Sequence, residues 1–165
     1  MKFRRLLILA LTLVAVLLAI WRISNRVPSS DYPERARVAA IFIKGGCLDC
    51  HTAEPNVPFY AKLPVAGDIV MADIDSGYRA FDIAPLMEAL EADRLPSPVD
   101  VAKVEKVALD KSMPMAKYYL VHWGSKMTNA KRDIILEWAQ RYNQNLFQDV
   151  KCGNGILRFS YWRVS

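Results

Sequence analysis

"IFIKGGCLDCHTAEP", residues 41–55, holds two cysteines three apart with a histidine directly after the second. Three chemistries share that look: a redox pair, half of a zinc site, and the attachment site of a c-type haem. On a helical turn, positions three and four apart lie on one face. Cys47 and Cys50 can therefore meet the two vinyl groups of one porphyrin as thioethers. His51, four beyond Cys47, then aims its imidazole at the iron from the same side, and Gly45-Gly46 leaves room for backbone beside the ring edge. A thioredoxin-type pair needs a strand–helix setting that the flanking residues do not offer, and it leaves the histidine idle. Zinc needs four ligands; beyond this cluster only His122 and Cys152 remain, and adjacent Cys50 and His51 would have to share one ion. The motif predicts one covalent haem c. It also accounts for the odd count of three cysteines, since two go to the haem and Cys152 is left alone.

Upstream, "LLILALTLVAVLLAIW" runs from Leu6 to Trp21 without a charge, behind Lys2, Arg4 and Arg5 and before Arg22 and Arg26. As a helix it covers roughly 24 Å at 1.5 Å per residue, so Arg5 and Arg22 must snorkel to reach the headgroups of a ~30 Å core. A cleaved signal needs small residues where Ile20, Trp21 and Arg22 stand. The segment reads as an uncleaved single-pass anchor, with the remainder exported across a bacterial inner membrane into the periplasm.

The net charge of +5 partly belongs to the anchor's flanks, and no basic stripe interleaved with aromatics follows. Nucleic acid is therefore not an expected partner. The expected organisation is an anchor with its flanks over 1–26, a tether over 27–33, a helical haem domain over 34–145 and an irregular tail over 146–165. That tail is either a flap or the altered end of a longer protein.

Within the domain, "ERARVAAIFIK" spaces Val38, Ala39, Phe42 and Ile43 as an amphipathic helix leading into the glycine pair. "IAPLMEALEAD", residues 83–93, puts Leu86, Met87 and Leu90 on one face. Ser97 caps the next helix, with Pro98 at its first position, Asp100 in its first turn and Val101, Val104 and Ala108 as its buried stripe. Thr128 caps a last helix with Ile134, Ile135, Trp138 and Tyr142 at helical spacing. Residues 52–82 show no sustained period and read as a loop with brief helical turns, wrapped around something. Within it "DIDSG", Asp73 to Gly77, reads as a turn, because it lacks the spaced ligands of a calcium loop. The fold class is all-α: a small helical domain around one covalent haem, preceded by a transmembrane helix.

Haem function turns on the second axial position. The possible ligands are Met113, Met115 and His122, with Met71, Met87 and Met127 behind them as ordinary core methionines. Met113 leads, because Pro114 directly after it keeps the thioether out of a helix between two helical segments. His122, beside Trp123, reads as a surface or propionate-contacting residue, an axial ligand, or a distal acid–base group.

"GCLDCHTAEPNVPFYAKLP", "DIDSGYRAFD" and "SMPMAKYYLVHWGSKMTNAKRDIILEWA" together resemble the small cytochrome c-like haem-binding domain family. They resemble most the membrane-anchored N-terminal domain of tri-haem bacterial cytochrome c peroxidases, over about residues 32–142. The resemblance implies that Cys47, Cys50 and His51 carry the haem and that Met113 is the family's methionine. "MPMAKY" departs from the usual Met-Pro-Pro and leaves Met115 as a neighbour able to compete. A second C-x-x-C-H is missing, so peroxidase chemistry does not transfer with the resemblance.

The expected role is electron transfer by a periplasm-facing mono-haem cytochrome, a carrier in preference to an enzyme; if it is an enzyme, the expected activity is that of a cytochrome c peroxidase. It would take electrons from a quinol-linked donor or another cytochrome and pass them to a peroxidase or oxidase. The alternatives are a small haem peroxidase or haem sensor with an open sixth site, or a truncated tri-haem peroxidase.

Overall fold

The structure, a computed structural model, describes residues 2–152, with side chains over 3–148. Helix α1 (Lys2–Ser24) is long and apolar enough to cross a membrane over Phe3–Ser24, and none of that stretch is buried in the protein. Six more helices follow: α2 (Glu34–Gly45), α3 (Ala66–Ala80), α4 (Ala84–Glu91), α5 (Pro98–Asp110), α6 (Ala116–Tyr119) and α7 (Asn129–Cys152). Short 3-10 turns cover Cys47–Asp49, Phe59–Lys62 and Trp123–Ser125, and there is no strand among the described residues. The architecture is all-α, as the periodicity predicts.

Helices α2, α4, α5 and α7 surround the core, with α5 against α7 and α2 against both α4 and α7. Local sequence explains their ends. The Ser97 side chain accepts from the Val99 N–H at 3.3 Å, and Pro98 loses no needed hydrogen bond at the first helical position. Thr128 accepts from the Lys131 N–H at the start of α7, also at 3.3 Å. Val101, Val104 and Ala108 are buried from α5, and Leu86, Met87 and Leu90 from α4.

In α2 the buried stripe differs by one position from the expected one. Ile41 is 0 % exposed, whereas Ile43 is 55 % exposed. Ile41 stands three residues after Val38 and shares its face; Ile43, five after it, is turned well away.

The larger correction concerns residues 52–82. Half of that stretch is α3, and "DIDSG" lies within it instead of forming a turn. The helix buries little, with only Ile74 and Gly77 fully inside, so it leaves no long apolar period to read. Gly77 is not there for a turn. A Cβ at that position would stand 2.8 Å from the Cys50 carbonyl oxygen, so glycine lets α3 pass close to the attachment loop. The acidic residues of this segment form ion pairs, Asp73 with Lys117 at 2.7 Å and Asp75 with Arg79 at 2.9 Å.

At the C-terminal end α7 continues through Cys152, past the expected boundary at 145. The rest of the expected tail, 153–165, lies outside the described residues. At the other end, the segment after α1 starts pinned. The buried Asn25 side chain donates to the Trp21 and Trp123 carbonyls at 2.9 and 2.8 Å and accepts from the Lys126 N–H at 2.9 Å.

Candidate haem site

The attachment motif folds as one tight turn directly after α2. Gly46 ends that helix in the left-handed region at φ 72°, and its N–H donates to the Ile43 carbonyl at 3.1 Å. The chain then turns back on itself: the His51 N–H donates to the Cys47 carbonyl at 3.0 Å. This i to i+4 bond places His51 one turn above Cys47, as the spacing requires.

His51 is fixed twice by the residues after α3. Its Nδ1–H donates to the Phe81 carbonyl at 2.9 Å, and its own carbonyl accepts from the Ile83 N–H at 2.8 Å. A carbonyl can only accept, so the proton sits on Nδ1 and the Nε2 lone pair is available as a metal ligand. The arrangement matches what an axial imidazole needs.

Cys47, His51 and Met113 line one cleft of about 300 Å³ between the attachment turn, α5 and α7. Its walls are largely apolar, with Phe42, Ile83, Val104 and Ile135 among them, and Met127 supplies a second thioether. Lys103, Lys106 and Arg132 are the charged residues of the lining, and no carboxylate joins them. A haem brings an apolar macrocycle, two vinyl groups, an iron and two propionates. The cleft presents an apolar wall, a thiol, an imidazole with two thioethers, and three cations. Apart from the second thiol, Cys50 three residues after Cys47, the donor set of the cleft fits the group.

Cys50 does not line the cleft. Its backbone lies under Gly77 of α3, and it forms no disulfide with Cys47. Both thiols are held protonated. Burial, followed by the charge of Asp49, pushes Cys47 up to about 12, and the same two causes raise Cys50. A redox pair works through a thiolate, which this environment disfavours. Among the described residues no group of three or more histidine, cysteine, aspartate or glutamate side chains converges to hold a metal ion.

The structure separates the possible axial residues. Met113 faces the cleft in the α5–α6 connection, and its carbonyl accepts from the Arg132 guanidinium at 3.4 Å. Met115 begins α6 outside the cleft lining, Met87 lies in the helical core, and Met71 is exposed on α3. His122 is also outside the lining. Its ring stacks on Tyr118 at 3.9 Å between centroids, and its Nε2 lies 3.4 Å from the Tyr60 hydroxyl. Tyr118 in turn donates a short hydrogen bond to Asp49, inside the attachment motif. His122 thus braces the far side of the motif instead of reaching into the cleft.

Arg132 and Lys103 have no role in the sequence reading, and Met127 stands there only behind the leading axial residues. Arg132 offered one signal: it stands three residues before Ile135, on the buried stripe of α7, where a charge needs a partner. Lys103 offered none, because only the packing of α5 beside the attachment turn brings it there.

The haem-binding domain family matches residues 11–141 of the chain. Cytochrome c peroxidase Ccp of Escherichia coli K12 is 33% identical over 115 residues, which is 70% of this chain and 25% of that relative. The chain thus spans about a quarter of the length of the curated relative it matches. No solved structure matches significantly. The chain belongs to the haem-binding domain family and is related to cytochrome c peroxidases.

Proposed function

We propose that this haem-binding domain is an electron carrier: a single-pass, membrane-anchored c-type cytochrome facing the periplasm. One haem is bound covalently through Cys47 and Cys50, with His51 and Met113 as its axial ligands. It takes electrons from a quinol-linked donor or another cytochrome and passes them to a peroxidase or oxidase. The observation that carries the reading is the shared cleft of Cys47, His51 and Met113, with His51 Nδ1 committed to Phe81.

Bound haem supplies a one-electron iron couple, and the chain's own residues set its surroundings. His51 presents Nε2 in a fixed orientation, because its ring and its backbone are both tied to residues 81–83. Met113 offers a neutral thioether, and histidine–methionine ligation raises the potential relative to two histidines. The apolar wall would keep water from the iron, while Lys103 and Arg132 of the lining are placed to meet propionate charges; Lys106 already pairs with Asp110 at 3.4 Å. Asp49 and Tyr118 brace the attachment turn from outside.

A peroxidase would need an open axial position with a polar group to assist O–O cleavage. Two thioethers line this cleft, and His122 is engaged elsewhere, which favours the carrier. The peroxidase named in the relative is a longer chain, of which the match covers 25%, and its chemistry is not needed for this role.

The test is the visible spectrum of the full chain, matured with haem in a bacterial periplasm. The expected result is a low-spin spectrum with a methionine-to-iron charge-transfer band when oxidised. Haem should stay on the polypeptide after denaturation. Met113→Ala should remove the band, and Met127→Ala and Met115→Ala should keep it. A high-spin spectrum that shifts with peroxide or carbon monoxide would overturn the proposal in favour of an enzyme or sensor.

A further inference from the structure

The segment after α6 carries an apolar patch that the haem cleft does not use. Leu120, Val121 and Trp123 are 78, 60 and 54 % exposed, three large apolar side chains within four residues. Single exposed apolar residues are ordinary, whereas a contiguous group marks a contact surface.

Its position identifies the contact. Asn25, directly after α1, is 6 % exposed and bonds to both the Trp123 carbonyl and the Lys126 N–H, so the patch is held against the end of α1. Between them lies a cavity of about 490 Å³, lined by Val14, Leu17, Leu18 and Trp21 of α1 and by Tyr119, Trp123 and Lys126. From Val14 to Trp21 is roughly 10 Å along the helix axis. If α1 spans the bilayer, this cavity lies below the headgroups, beside hydrocarbon. The Lys126 ammonium sits 5.1 Å above the ring of Trp21, the residue before Arg22 in sequence, at the level where tryptophan and basic side chains meet lipid phosphates.

We infer that residues 119–126 are seated in the membrane interface, with Leu120, Val121 and Trp123 among the lipids. An acyl chain of a glycerophospholipid fills the cavity against α1, and its anionic headgroup lies at Lys126. The inference rests on the reading of α1 as a membrane span. It replaces a loosely tethered domain by one held in a set orientation. The haem cleft is fixed with it, since Met127, which lines the cleft, donates its N–H to the Tyr119 hydroxyl at 3.4 Å.

The experiment places the photo-crosslinker p-benzoylphenylalanine at Leu11, Leu120 or Glu91, all exposed positions, in the full haem-loaded chain. Each protein is irradiated in nanodiscs of phosphatidylcholine and phosphatidylglycerol, and lipid adducts are read by mass. Adducts at positions 11 and 120 but not at 91 are the expected result. An adduct at 11 alone would leave the span intact and overturn the seating of the patch. A covalent dimer through position 120 would make the patch a contact between copies and also overturn it. Adducts at neither 11 nor 120 would overturn the span and the inference together.

Discussion

The imidazole of His51 donates from Nδ1 to the carbonyl of Phe81 at 2.9 Å, thirty residues further along the chain. With the Ile83 N–H returning to the His51 carbonyl at 2.8 Å, the motif and the α3–α4 connection lock each other. The lock depends on α3 passing close above Cys50, and the closeness depends on a glycine.

Gly77→Ala should therefore destabilise the domain, although alanine is the better helix former by about 1 kcal/mol. The added Cβ would stand 2.8 Å from a backbone oxygen, which cannot swing aside as a side-chain tip could. Overpacking of this kind costs about 1–3 kcal/mol, so the clash should win by about 1 kcal/mol. Denaturant unfolding of the haem-loaded protein checks the sign. An unchanged or raised midpoint would refute the close approach.

The two neighbouring glycines of the motif should behave oppositely. Gly46 has φ 72°, and its Cβ would collide with the Tyr118 ring, whose Cζ lies only 2.6 Å away. Left-handed backbone alone costs a non-glycine residue about 1–2 kcal/mol, so Gly46→Ala should lose at least that much and disturb haem attachment. At Gly45 the nearest atom is the mobile Met127 Cε at 3.4 Å. Gly45→Ala should be neutral, or stabilising by up to about 1 kcal/mol. Unfolding midpoints and the yield of covalent haem report both.

Tyr118 should make stability depend on alkaline pH. Burial, then its hydrogen bond to Asp49 and that residue's charge, raise its pKa well above the ordinary tyrosine value. A raised folded-state pKa means that the native state holds the proton more tightly. The contribution is therefore fully present below about pH 10 and is lost as pH rises above it toward the folded pKa. The stability difference between the wild type and Tyr118→Phe, measured by urea unfolding from pH 8 upward, should be constant to about pH 10 and then shrink. A flat difference throughout would show that the phenol is not held this way.

Arg132 should act on the Met113 loop. It is 8 % exposed, and its guanidinium donates to the Met113 carbonyl. Arg132→Met removes a hydrogen bond to a charged donor, worth about 1.5–3 kcal/mol, and one cation from the cleft. The unfolding midpoint should fall and the methionine-to-iron band should weaken. Arg132→Lys should restore more of the band than Arg132→Met, and equal loss in both variants would make the effect one of packing alone.

Much of the domain was legible because its determinants are local. Ser97, Pro98 and the Val101–Val104–Ala108 stripe specify α5 within one short segment, and the attachment turn closes on itself between Cys47 and His51. Helix α3 was not legible. Its inner face is carried by Ile74 and Gly77, and a glycine that permits close packing looks the same in sequence as one that permits a turn.

By itself, the sequence determined the attachment motif, the apolar first helix and the all-α class, since each follows from spacing or hydropathy within a few turns of chain. Only the tertiary structure put Met113 and Met127 in the cleft while turning His122 outward against Tyr118 and Tyr60. It also gathered Lys103, Lys106 and Arg132 around that cleft and held Trp123 against the end of α1. These outcomes depend on contacts between segments tens of residues apart, as between Asn25 and Trp123 or Asp49 and Tyr118. Such contacts are selected by the joint packing of several helices, and no spacing along one segment encodes them.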